Sequence, residues 1–322
     1  MTDAATRESG LFSAEAALED SVGGRLRRIL GAVPTWVLWI VVIVWTVPSI
    51  GLLVSSFRPV EEINESGWWT IVTNPAFTIE NYREILFDPP GGTDSMFVFM
   101  LNTIAIVLPA TVVPIAVATF AAYAFSWMEF RGRNWLFVGL ISMLALPNQM
   151  TFVPLLQLFQ GGATWTLPFT EQTIRLFPEL GIANTAAAVW LTHTAFGLPL
   201  AIYLLHNYIS QLPRDIFEAA RIDGADHYTI FTKLIIPLSM PAIAAFAIFQ
   251  FLWTWNDFLV ASVFLNDNEP MTVALVNIVG ERGQNAHLRF PSAFVTILIP
   301  LIVFLALQKH FVRGLLAGSV KG

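Results

Sequence analysis

No cysteine occurs anywhere in the 322 residues, which removes disulfides, thiolate metal sites and cysteine nucleophiles. Charge is scarce as well. Asp, Glu, Lys and Arg make up 12% of the chain, about half of the roughly 25% that covers a soluble domain. The net charge is −6 and no basic stripe stands out, which argues against a nucleic-acid partner. The only lysines are Lys233, Lys309 and Lys321, and none follows a glycine. The G-x-x-x-x-G-K-[ST] phosphate loop is therefore missing, and the chain cannot be its own ATP motor. There is no G-x-S-x-G nucleophile elbow and no H-E-x-x-H zinc pair. His193, His206, His227, His287 and His310 are scattered without ligand spacing. The reading is of a non-enzyme, with no cofactor or metal bound by this chain.

What the chain has in excess is apolar sequence. Hydrophobic residues reach 55% and the mean hydropathy is +0.64. A bilayer core about 30 Å thick takes about 20 apolar residues of helix. Runs of that order lie near Pro34–Ser55, Met96–Ser126, Trp135–Leu158, Thr185–Leu205, Pro241–Leu265 and Ser292–Leu307. They are apolar on all sides and twice the length of a barrel strand, so the backbone satisfies itself as helix. The expected fold is an all-α integral membrane protein with six transmembrane helices. Pro109, Pro114, Pro147 and Pro154 fall inside the second and third runs and mark candidate kinks.

Orientation follows from Lys and Arg. Arg25, Arg27 and Arg28 sit just before the first span, and Arg131, Arg133, Arg214, Arg221 and Lys233 fall in alternate connections. Those segments are expected inside, with both termini. Residues 1–32 read as a cytoplasmic N-terminal extension, not a secretory signal, because the apolar run after them is too long. Residues 33–322 read as one six-helix transmembrane domain, with outer loops near 56–95, 159–183 and 266–290.

One polar connection carries information: residues 211–241, between the fourth and fifth spans. Pro213 can start a helix, Asp215 complements its N-terminal dipole, and Ile216, Phe217 and Ala220 give it an apolar side. Gly224 suits a left-handed helix stop. A second amphipathic stretch with Ile230, Phe231, Leu234 and Ile235 leads to Pro237. A helix–turn–helix with spare apolar residues reads as a docking surface.

Glu218-Ala219-Ala220 followed by Asp223-Gly224, then Leu234-Ile235-Ile236-Pro237, resembles the EAA motif of ATP-binding-cassette importer permeases. In the usual form that last run is Ile-x-Leu-Pro, so apolar residues are exchanged for apolar ones. Asn184-Thr185, Pro199, Trp255-Asn256-Asp257, the run Gln308–Gly314 and the ending Val320-Lys321-Gly322 extend the match. It is closest to the carbohydrate-uptake permeases of the maltose-transporter, MalG-like type. The resemblance implies a cytoplasmic coupling loop in which Glu218, Ala219, Ala220, Asp223 and Gly224 engage an ATPase. It implies a second, different permease, two copies of that ATPase holding ATP and Mg, an extracytoplasmic solute-binding protein, and the cell membrane of a prokaryote. It also implies a sugar as cargo.

A lone carboxylate at the bilayer centre costs about 2.5–3.5 kcal/mol, so Asp257 should face the bundle interior or water. Asn256, Asp257 and Asn102 are the candidate pathway residues. For the first two, capping a break in the helix is an equal alternative. Gln157, Thr192, His193 and Thr194 read first as helix–helix ties. Aromatic residues at 13% suit sugar stacking and also ordinary packing. The stretch Gly280–Phe290 before the last span is expected to contact the binding protein. A secondary transporter or channel, and a non-translocating scaffold, are the rival readings; both leave the EAA loop unexplained.

Overall fold

The computed structural model describes residues 34–89, 94–168, 172–278 and 285–317. The N-terminal extension, residues 279–284 of the last outer loop and the ending Val320-Lys321-Gly322 lie outside the described residues. The chain divides into two compact units, with the boundary after Ala76.

The first unit holds helix α1 (Thr35–Ser56), short helix α2 (Val60–Glu65) and a 3-10 turn, Trp68–Val72. Most of α1 is exposed along its length, as expected of an apolar helix whose solvent is lipid. At its end Arg58 is only 1% exposed. Its guanidinium donates to Glu62 Oε2 at 2.9 Å, Ser66 Oγ at 2.8 Å and the Gly67 carbonyl at 2.8 Å. Glu62 also accepts from Asn74 Nδ2 at 2.7 Å. A buried charge needs such pairing, so the turn after α1 is built around one arginine. Gly51 is required here, because a Cβ would stand 2.7 Å from the Trp68 indole nitrogen.

The second unit contains α3 (Glu80–Phe87), α4 (Met96–Trp127), α5 (Arg133–Ser142) and α6 (Phe152–Gly161). A hairpin of β1 (Ala163–Thr166) and β2 (Thr173–Phe177) follows, then α7 (Ala186–Ile209), α8 (Arg214–Ile222) and α9 (His227–Ile230). The chain continues through a π turn, Phe231–Ile235, into α10 (Ile236–Trp255), then α11 (Leu259–Phe264), α12 (Met271–Asn277) and α13 (Arg289–Ala317). Among the described residues five helices are long and apolar enough to cross a membrane, and six spans result if the bent pair α5–α6 counts as one.

α4 and α7 pack along each other and α10 packs on both. Ala118, Ala122 and Ala201 are buried where these helices meet, and small residues allow backbones to approach. Gly197 faces Gln250 so closely that a Cβ would be 2.8 Å from its Oε1. The Gln250 amide in turn donates to the Ala110 carbonyl at 3.2 Å. One glutamine thus ties three helices. Hydroxyls of Thr103, Thr119, Ser292 and Thr296 return to carbonyls four residues earlier, which hides polar groups inside their own helices.

Three features depart from the sequence reading. The third run is not one straight helix: its halves are bent by 102°. Leu146 is extended (φ −82°, ψ 127°) ahead of Pro147, which caps the next turn. Proline disfavours the helical conformation at the residue before it, and the break falls there, whereas α4 runs unbroken through Pro109 and Pro114. The fifth span is shifted. It runs from His227 to Trp255 and not from Pro241 to Leu265, because the π turn carries the second amphipathic stretch straight through Pro237. Finally, the loop after α6 forms a hairpin, with Thr166 and Thr173 hydroxyls 3.2 Å apart. Its Thr, Trp, Ile and Phe residues favour strands.

Candidate coupling element and pathway surface

α8 begins after Pro213 and stops at Asp223, and Gly224 reverses the chain at φ +81°. Only a residue without Cβ takes that conformation freely, which is why a glycine marks the stop. Asp226 then caps α9, accepting from the Thr229 amide at 2.8 Å. The Thr229 hydroxyl, with that amide, holds the exposed Asp226 carboxyl below the usual carboxylate range.

Phe217 anchors α8 to the spans. It is 2% exposed and lies against the Trp127 ring with centroids 4.1 Å apart. Trp127 donates to the Ile209 carbonyl at 3.2 Å, and Tyr123 meets His227 Nδ1 at 2.7 Å. Phe217, Ile230, Phe231 and Ile235 belong to the same core as Tyr123, Leu205 and Phe246 of the spans. The turn after α8 is therefore not a free loop. Glu218, Ala219, Asp223 and Gly224 are exposed and Ala220 is half-buried. Among the described residues Glu218 makes no ion pair with Arg214 or Arg221. Ile222 and Tyr228 stand out beside it, 85% and 74% exposed.

The three pathway candidates do not converge. Asn102 donates to the Glu269 carbonyl at 3.2 Å, while neighbouring Thr103 accepts from the Met271 amide at 2.9 Å. The pair pins the start of α12 onto α4. Asn256 and Asp257 sit together in the break that follows α10. Asp257 accepts from the amides of Val260 at 3.2 Å and Ala261 at 3.0 Å, so it caps α11. Asn256 donates to the Leu252 carbonyl at 2.7 Å. Both line a groove of about 720 Å³ with Leu200, Phe249, Trp253 and Leu259. Asp257 Oδ2 also stands 3.6 Å from Nε2 of the buried His193 on α7. Spacing of histidines in the sequence gave no sign of that approach, because the two residues are far apart in the chain. Gln250 and Gly197 carried no sequence signal either.

Long apolar helices interrupted by prolines, and a polar helix–turn–helix seated in their core, define a multi-span α-helical membrane protein. Among the described residues no cluster of metal-ligating side chains occurs. The chain belongs to the family of binding-protein-dependent transport system inner membrane components, matched over residues 115–316. It is a permease subunit of an ATP-binding-cassette importer, a membrane component and not an enzyme. It is 50% identical, over 86% of its length and 88% of the relative, to the osmoprotective compounds uptake permease protein GgtD of Synechocystis. It is 51% identical to the alpha-glucoside transport system permease protein AglG of Rhizobium meliloti, over 79% of this chain and 63% of AglG. In fold it matches a bacterial transporter importing the acidic polysaccharide alginate, with TM-score 0.63 and 21% identity over 90% of this chain and 98% of that one.

Proposed function

We propose that the chain imports a sugar or oligosaccharide as one of two different permease subunits. They would work with two copies of a cytoplasmic ATPase, which holds ATP and Mg, and an extracytoplasmic solute-binding protein. In this reading residues 1–32 are a cytoplasmic extension, 33–322 the permease domain, and both termini lie inside. The alpha-glucoside relative supports the cargo, and the distribution of Lys and Arg supports the orientation.

The observation that carries the reading is the mounting of α8. Glu218 is exposed and unpaired on a helix whose other face, through Phe217, is buried in the span core. A surface carboxylate next to apolar Ile222 is suited to a cationic groove on a partner. Once desolvated there, the pair is costly to break from one side. Nucleotide would bind the closed ATPase pair more tightly than the open one, and that difference in affinity drives the switch between inward- and outward-facing states. Rigid seating lets displacement of α8 reach α4, α7 and α10. Asn256, Asp257 and Asn102 remain the proposed pathway residues, the first two at the groove and Asn102 through its hold on α12.

The test is Glu218→Lys in the assembled transporter. The expected result is loss of ATPase association and of uptake, with Glu218→Gln intermediate. Uptake and co-purification at the level of the unmutated protein would overturn the coupling role.

A further inference from the structure

α10 carries two aromatic faces that differ in how completely they are used. On one, Phe251 and Trp255 stack at 5.5 Å and Trp255 is 1% exposed, its indole N–H donating to the Thr296 carbonyl at 3.0 Å. On the other, Phe249 and Trp253 lie one turn apart with ring centroids at 6.2 Å, 47% and 36% exposed. Among the described residues the Trp253 N–H has no hydrogen-bond partner. One further turn along the same face comes Asn256, exposed, whose amide nitrogen is engaged while its oxygen is free. Asp257 follows, each carboxylate oxygen accepting one amide, and Nε2 of His193 stands 3.6 Å from its Oδ2. These four residues all line the groove beside Leu200 and Leu259.

Lipid does not suit this face. Asn256 and Asp257 follow Trp255, where the span ends, so a carboxamide and a carboxylate stand where acyl chains give way to protein or water. The same set matches the two faces of a pyranose: an aromatic platform for its C–H side, and acceptors for its hydroxyls. The volume, about 720 Å³, lies within the range of small-molecule sites. We infer that the Phe249–Trp253–Asn256–Asp257 face of α10 is a sugar-contacting surface of this subunit. Trp253 is the stacking platform and the oxygens of Asn256 and Asp257 accept hydroxyl protons of a neutral saccharide. The inference rests on the sugar-importer reading and assigns the contact to this chain, not only to the second permease.

The missing cysteines make the test direct. In the complete transporter, reconstituted with its partner chains, Leu259→Cys supplies the only thiol of this subunit and is reacted with a water-soluble maleimide. Uptake of labelled sucrose, trehalose, maltose and raffinose first identifies which sugar the transporter carries. With that sugar present about tenfold above its dissociation constant, labelling should slow about tenfold. Adding Trp253→Ala should abolish that protection and Trp253→Phe should restore most of it, with co-purification of the partner chains unchanged. Labelling that the transported sugar does not slow would overturn the inference while leaving the importer reading intact. So would Trp253→Ala that dissociates the second permease, since the groove would then be a subunit interface. Uptake of none of the four sugars would overturn the importer's cargo assignment, and this inference with it.

Discussion

At the scale of single residues, Asp257 carries more of the structure than its surroundings suggest. It follows the C-cap of one helix, starts the next through two amides, and faces His193 from α7. Replacing a capping Asp by Ala costs about 0.5–2 kcal/mol. Asp257→Ala should therefore lower the melting temperature of the solubilised transporter, and Asp257→Asn should lower it less. Thermal unfolding in detergent decides between them. Asp226 makes a pH prediction. Its folded-state pKa is lowered, so its stabilisation is complete above the ordinary carboxylate value of about 4. That contribution is lost as pH falls through the lowered folded value. Amide exchange at Thr229 should accelerate in that acid window, with the Asp226→Asn variant showing a flatter response. Gly224 was legible from sequence because a helix stop at positive φ leaves a glycine signature. That Asp257 could cap a break in the helix was legible too, but the place of that break was not.

Among elements, the first, second, fourth and last spans were readable to within a few residues, because lipid imposes their length, while the fifth was displaced by the turn that leads into it. Elements governed by tertiary context were not. Nothing in the composition separates Pro109, which α4 absorbs, from Pro147, where the third run turns by 102°. The difference lies in whether neighbouring helices satisfy the freed backbone groups. The hairpin at 163–177 was hidden by its shortness. The contact between Gly197 and Gln250 gives an element-scale test. Gly197→Val should force the amide away from Ala110 and destabilise the α4–α7–α10 packing by roughly 1–3 kcal/mol. Unfolding of the solubilised chain measures it, and Gly51→Val, against Trp68, should act on the first unit in the same direction.

For the whole molecule, the site and the fold share one core. The sequence offered the Glu218-Ala219-Ala220 segment as a candidate docking surface, but not that Phe217 beneath it lies in the packing of α4 and α7. Phe217→Ala removes a buried ring, a change that costs about 3–5 kcal/mol. Its expected effect in membranes is uncoupling: ATP hydrolysis by the assembled transporter persists while sugar uptake per ATP falls. Measuring both in the same vesicles separates this outcome from simple loss of the protein, where the two would fall together.

Between α9 and α10 the backbone takes a π turn, Phe231–Ile235, which winds in one residue more than an α turn would hold. That surplus residue sets the phase of the junction. Were it drawn out into regular α-helix, the part on its N-terminal side would turn by about 100° and advance about 1.5 Å relative to the span. Phe217 and Ile230 would then lose their places in the core they share with Tyr123 and Leu205. The register of one turn is thus what keeps the helix–turn–helix keyed to the spans.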